Sequence, residues 1–267
     1  MIEVKELGKS IKYIFERTEK KYLLTKEQYD ALLEKSKGKI EADEYGLTSI
    51  CNIYFDTEDS ELIRNSIEKP IYKEKLRLRS YGVPESETSK VFLEIKKKFD
   101  GVVYKRRVAM TYKEAEEYLK NHVVPNVNPQ ILKEIDYIIS YYNLKPKLFL
   151  AYDRIAYYGV DDKELRITFD KNIRSREDNL SLFAGSDGTM LLEDDYLLME
   201  IKSNGAMPLW LTNLLSELHI YPLSFSKYGN IYKQSLMKSR GSFLPKVKSI
   251  IEENYLDGDE NKCLQVF

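Results

Sequence analysis

The sequence predicts an α+β fold built on an eight-stranded antiparallel β-barrel, with helices packed outside it and at its ends. Three observations carry this expectation. Eight segments alternate apolar and polar residues at period two, the spacing of a strand with one buried face. Patches with helical spacing fall between these segments rather than in a separate block. The chain also holds 21 tyrosines and 10 phenylalanines against 12 glycines, and aromatic side chains suit a pleated, half-buried surface.

In chain order, the first strand covers about 13 to 22, and Thr25 then caps a helix over Lys26 to Lys37. Strands follow at about 49 to 56 and 72 to 81. The strands at 90 to 98 and 102 to 110 flank Asp100-Gly101, a dipeptide that accepts the positive φ of a tight hairpin, so they pair antiparallel. Helices over Thr111 to Asn121 and Pro129 to Tyr142 come next, then strands at 147 to 157, 164 to 171 and 196 to 202, and a helix over Leu209 to Leu218. From about Ser242, Pro245 suits a first helical turn, and Val247, Ile250, Ile251 and Tyr255 recur at helical spacing. No fixed repeat or low-complexity linker divides the chain, so residues 1–240 are expected to form one domain and 241–267 a helical tail.

Composition narrows the function classes. A mean hydropathy of −0.47 with 32% charged residues leaves no membrane span, and the first residues lack the apolar core of a secretory signal. A cytoplasmic protein is expected. Cys51 and Cys263 are too far apart in sequence and too few for a disulfide framework or a closed zinc site. His122 and His219 are solitary, and Trp210 lies in an apolar helical stretch, so ordinary packing roles account for all three. The 42 Lys and Arg and 43 Asp and Glu give a net charge of −1, which advertises no nucleic-acid partner.

Sorting those charges by strand parity gives a different picture. Arg17, Glu19 and Lys21 share one face of their strand, as do Lys75, Arg77 and Arg79 with Leu76 and Leu78 opposite. Glu94, Lys96 and Lys98 share another, and Glu200 sits with Lys202. Tyr152 and Arg154, and then Arg166, Thr168 and Asp170, continue the pattern. A solvated outer face explains any one such strand. Six of them, rich in the rigid five-donor guanidinium fork, point instead to an inward cationic face that takes a polyanion. Glu19, Glu94 and Glu200 are too few to neutralise it but suit a divalent cation bridging ligand phosphates. No Gly-x-x-x-x-Gly-Lys-Ser/Thr loop or Gly-x-Gly-x-x-Gly fingerprint is present, so side chains rather than a backbone cradle would hold a nucleotide.

The segments RTEKKYLL, EKLRLRSYG, VFLEIKKKFDGVVYKRR, LFLAYDRIAY, LRITFDKNIRSR, LLMEIKSNG and FSKYGNIY, in this order, resemble the VTC domain of polyphosphate polymerases, in the triphosphate tunnel metalloenzyme superfamily. The resemblance runs from about Tyr13 to Tyr232. It implies an eight-stranded tunnel in which the terminal phosphate of ATP passes to a growing inorganic polyphosphate. It also implies a divalent metal, Mn²⁺ with Mg²⁺ as the alternative. The family's catalytic cations map onto Lys21, Arg77, Arg79, Lys96, Arg154 and Arg166. Arg17, Lys75, Arg106, Lys202, Lys227 and Tyr228 are the expected substrate contacts, with Arg106 chosen for the lumen from the run Lys105-Arg106-Arg107. Glu200 is the implied metal ligand. The wider superfamily opens on Glu-x-Glu-x-Lys, whereas this chain reads Arg17-Thr18-Glu19-Lys20-Lys21, which leaves Glu19 as the second metal ligand. A tunnel triphosphatase and a non-catalytic polyphosphate-binding module are the competing readings. Any membrane link would run through a partner protein, and the sequence does not fix the oligomeric state.

Overall fold

The computed structural model describes residues 17–100 and 102–239. The expected strand start at 13 to 16, Gly101 and the expected helical tail lie outside the described residues. Among the described residues, eleven strands and six helices follow one another as β1 (Arg17–Thr25), α1 (Lys26–Lys35), β2 (Ile40–Ala42), β3 (Thr48–Asp56), α2 (Glu61–Ile67), β4 (Tyr72–Tyr81), β5 (Lys90–Phe99) and β6 (Val102–Thr111). Then come α3 (Tyr112–Asn121), α4 (Pro129–Tyr142), β7 (Lys145–Gly159), β8 (Arg166–Arg176), β9 (Thr189–Met190), β10 (Tyr196–Asn204), α5 (Leu209–Glu217), β11 (Pro222–Leu223) and α6 (Lys227–Ser239).

Local chemistry sets several boundaries. Thr25 and Gln28 form a reciprocal capping box at the start of α1, and Thr111 and Glu114 do the same for α3. Asn128 caps α4 ahead of Pro129, whose missing N–H costs nothing in a first turn. At the β5–β6 hairpin Asp100 adopts φ 43°, the left-handed region that a tight turn demands. Helix α1 stops two residues short of the expected Lys37, because Ser36 caps it and its hydroxyl folds back onto the Leu32 carbonyl.

The sheet order is β11-β1-β10-β8-β7-β3-β4-β5-β6, with β2 on β7 and β9 on β8. The eight long strands fall at the positions of the expected strands, and the pairings between named strands are antiparallel. The expected eight-stranded closed barrel is corrected in two respects: among the described residues the sheet has eleven strands rather than eight, the short β2, β9 and β11 being added, and β1 and β6 do not pair. In the middle of β1 the edge away from β10 is met by β11 instead of β6, through Lys21↔Leu223 and Tyr22↔Pro222.

The sheet is nonetheless strongly curled, and three consecutive residues show it. The Phe225 carbonyl accepts from Lys21 of β1 at 3.0 Å, Ser226 Oγ lies 3.4 Å from Lys75 Nζ of β4, and Lys227 Nζ reaches Asp170 of β8 at 2.5 Å. Strands far apart in the sheet thus converge on one short segment, and the charged faces line a trough. Apolar cores pack the convex side: α3 and α4 cover β3 to β6, while α1 and α5 cover β1, β8 and β10. A third core, with Ile63 of α2 and Tyr228 and Ile231 of α6, fills one end of the concave side around Leu148, Leu150 and Leu198. Among the described residues no helix is long and apolar enough to cross a membrane.

Candidate functional site

Strand register decides which side chains meet. In the β4–β5–β6 part of the trough, Arg77 pairs with Glu94 and Glu94 with Arg107, while Lys75 pairs with Lys96 and Lys96 with Lys105. Glu94 is 2% exposed and forms the hub. Its carboxylate receives Arg77 Nε at 2.8 Å and Lys105 Nζ at 2.7 Å, with Arg79 and Arg107 each at 3.9 Å. Burial opposes its ionisation, but Arg77, Arg79 and Lys105 outweigh it and hold the carboxyl at about 2. Arg77 also donates to Tyr54 Oη at 3.1 Å, and Arg79 donates to Asn52 Oδ1 at 2.8 Å and Tyr152 Oη at 3.2 Å. These contacts hold both guanidinium planes in place. Tyr54 is held down at about 8: burial raises it, and Arg77, Arg79 and Lys75 together win.

A second hub lies across the trough. Asp170 is fully buried and grips Arg154 through two bonds, at 2.6 and 2.8 Å, and Lys227 through one at 2.5 Å. The Lys227 ammonium also sits 4.5 Å from the Tyr152 ring centre and the Arg154 guanidinium 5.1 Å from it. Burial alone would lower Lys227, but Asp170 and Tyr152 raise it, so the ammonium stays charged at neutral pH.

Glu19 and Glu200 lie on adjacent strands, facing Lys202 and Lys21 respectively across the ladder. Lys21 Nζ is 3.5 Å from Glu19 and 3.7 Å from Glu200, and Lys202 Nζ is 3.8 Å and 3.0 Å from the same two carboxylates. Arg154 reaches Glu200 at 3.7 Å. Burial opposes ionisation of Glu200, yet Lys202, Lys227, Lys21 and Arg154 hold it far below the usual carboxylate range. Thr168, opposite Glu200 in register, carries a buried hydroxyl oxygen with no partner in the protein. Two hard carboxylates beside an unsatisfied hydroxyl fit a divalent cation with an oxygen shell, its remaining positions left to phosphate and water. Among the described residues no cluster of three or more His, Cys, Asp or Glu could hold such a cation without the substrate's oxygens.

The expected site residues are therefore distributed as follows. Lys21, Lys75, Arg77, Arg79, Lys96, Arg154, Lys202, Lys227, Glu19 and Glu200 share the concave face. Arg17 pairs with Asn204 in β1, with its side chain outside the described set. Arg166 lies nearer the mouth, stacked 5.2 Å from the Tyr158 ring and 3.8 Å from Asp43. Two expectations are corrected. Arg106 is on the convex side, opposite Ile95 and 3.9 Å from Glu134 of α4, because strand parity sends its neighbours Lys105 and Arg107 inward. Tyr228 does not offer its hydroxyl to the trough: it donates to the buried Asp56 at 3.0 Å and its ring packs 5.2 Å from Tyr54. Asp56 also accepts the backbone N–H groups of Thr57, Leu62 and Ile63, so it ties α2 to the start of α6 and thereby seats Lys227.

Sequence reasoning did not single out Asp170, Lys105, Arg107 or Lys73 as site residues. Asp170 carried a usable parity signal, Lys105 and Arg107 lay in a run of three cations without one, and α6 had none, since KYGNIYKQSLMKS opens on polar residues and a glycine.

Two kinds of similarity bear on this arrangement. The VTC domain family model matches residues 16–236. Among solved structures, a "putative adenylate cyclase" from Bacillus halodurans superposes with a TM-score of 0.50 at 17% identity, covering 78% of this chain and 92% of that one. Another protein of that description, from Vibrio parahaemolyticus, gives a TM-score of 0.44 at 12% identity, covering 79% and 94%. The first of these shows a shared fold. No curated protein matches at a significant level. The family match spans both carboxylate hubs and every strand of the trough, and the chain belongs to the VTC domain family.

Proposed function

We infer that the chain is a polyphosphate polymerase, transferring the terminal phosphoryl group of ATP to the end of an inorganic polyphosphate in the concave trough. The observation that carries this reading is the concentration of fixed cations around a carboxylate pair. Arg77, Arg79 and Arg154 are each held by a buried partner, Glu94, Asn52 and Asp170 respectively, on the concave face. In transfer, the bond between the γ-phosphorus and the β,γ-bridging oxygen breaks. A bond forms from a terminal oxygen of the acceptor, and ADP leaves with the bridging oxygen. The acceptor oxygen is already anionic, so no general base is needed, and positioning plus charge neutralisation carry the rate.

Within that reading, Arg77, Arg79 and Arg154 hold phosphate oxygens, and Lys21 and Lys96 offset the charge that shifts during transfer. Lys75, Lys202 and Lys227 hold the flanking phosphates, with Arg166 at the mouth. Glu200 and Glu19 would hold the divalent metal, Mn²⁺ with Mg²⁺ as the alternative; when bound it supplies Lewis-acid neutralisation of the phosphate oxygens. The test is to incubate purified protein with ATP and Mn²⁺ and resolve the products by chain length on a gel. A ladder of polyphosphate supports the reading. Orthophosphate alone assigns the site to triphosphate hydrolysis, and unchanged ATP with measurable polyphosphate binding assigns it to a binding module. The Glu200→Gln variant is expected to lose turnover while still binding polyphosphate.

A further inference from the structure

The cations of the trough fall into two chemically different groups. Arg77 and Lys105 each contact Glu94, Arg154 and Lys227 each contact Asp170, and Lys21 and Lys202 contact Glu19 and Glu200. Toward the β5–β6 hairpin the pattern changes. Lys75 lies directly opposite Lys96, and Lys73 directly opposite Lys98, all on the concave face. Like charges facing each other across a ladder are destabilising. Among the described residues none of the four makes an ion pair; Lys75 meets only Ser226 Oγ at 3.4 Å, and Lys73 donates to the Ser66 carbonyl at 3.1 Å. The intervening Lys97 points to the other face and is paired, 3.7 Å from Glu134.

This crowding has a measurable consequence. Lys75 is brought down to about 8, first by burial and then by Lys73, Lys21 and Lys96, with Tyr54 opposing them. Lys73 is lowered by burial and by Lys98, Lys69 and Lys96. Lys96 is lowered chiefly by burial, with Glu19 and Glu200 pulling the other way without touching it. A set of four lysines with no carboxylate in contact among the described residues calls for an anion from outside the chain. The residue type narrows what that anion does. A guanidinium fork fixes one phosphate in one geometry, whereas a lysine is a mobile point charge that tolerates a chain in many positions. The step from the Lys75–Lys96 pair to the Lys73–Lys98 pair is about 7 Å along the strands, beyond the arginines that would grip the donor.

We propose that the Lys75–Lys96 and Lys73–Lys98 pairs form the track of the acceptor polyphosphate, which enters the reacting centre from the β5–β6 hairpin side while the arginine half holds the donor. The proposal rests on the polymerase reading and adds to it a direction and a division of the trough. It is tested by binding, so that it stands or falls apart from turnover. Lys73→Gln, Lys98→Gln and the double variant are compared with the wild type by calorimetry at fixed ionic strength, with inorganic tripolyphosphate and long-chain polyphosphate as probes. Lys98 lies near the hairpin and makes no internal ion pair, so its variant keeps the test open if Lys73→Gln fails to fold.

The double variant is expected to lose about tenfold in long-chain affinity and less than about twofold for tripolyphosphate. Equal losses for both probes, or no loss for either, would overturn the track. A wild-type protein that makes no polyphosphate from ATP, with the length-selective loss still present, would leave the track standing and sink the polymerase reading.

Discussion

Replacing Lys75 by methionine should make the ligand-free protein more stable and its ligand complex weaker. The side chain is held among Lys21, Lys73 and Lys96, and burial with that repulsion brings it to about 8. An unfolded lysine titrates near 10.4. The sign follows from linkage: the unfolded chain holds the proton more tightly, so Lys75 costs stability at pH 7, and that cost fades as pH rises from about 8 to about 10.4. Two to two and a half units correspond to about 3 kcal/mol at most, and partial solvent access reduces this to about 1–2 kcal/mol. Methionine keeps most of the apolar stem and removes the charge. For a domain of this size the gain amounts to about 2–8 °C in melting temperature. The assay is thermal denaturation at pH 7 with and without tripolyphosphate. The ligand-free melting temperature should rise and the ligand-induced increment should shrink. A variant that melts lower when ligand-free, or that keeps the full ligand increment, would refute the placement of Lys75 in an unbalanced cationic cluster.

Other outcomes follow from the same geometry. Glu94→Gln leaves Arg77 and Lys105 without their buried counter-charge and should cost about 3–5 kcal/mol by denaturant titration. Because the Glu94 carboxyl is depressed to about 2, its contribution is complete above about 4.3 and should be lost as pH falls from there toward 2, a loss absent from the variant. Arg77→Ala should lower kcat/KM for ATP by about 2 kcal/mol or more, near thirtyfold, measured in steady-state assays. Arg106→Ala, on the convex side, should leave kcat/KM within about twofold, and a loss comparable to that of Arg77→Ala would contradict the strand parity.

Much of the trough was legible because alternation fixes side-chain direction once a strand is recognised. Lys75, Arg77 and Arg79 declared their face through Leu76 and Leu78, and Glu200 and Lys202 through Met199 and Ile201. Legibility failed where that signal was missing. Three consecutive cations at 105 to 107 carry no alternation of their own, and only their register against Glu94, Ile95 and Lys96 shows that the outer two point inward. Closure of the sheet could not be read either, since the strand that takes the β1 edge is two residues long and includes a proline. Helix α6 was hidden by its polar opening, although its first residues supply Lys227 and, through Tyr228 and Asp56, the anchor that seats it. Asp170 lay on a recognised face, but its role as the shared partner of Arg154 and Lys227 depends on α6 folding back over the sheet.

The central claim is that the charged concave face receives the phosphates, with the metal at the carboxylate pair. A crystal structure of the protein with tripolyphosphate and Mn²⁺ tests it most directly, because phosphorus and manganese can both be located in anomalous maps. Phosphates are expected between Arg77, Arg79 and Arg154, with Mn²⁺ bound to Glu200 and a phosphate oxygen. Phosphates on the convex surface, or Mn²⁺ bound away from both Glu200 and Glu19, would contradict it.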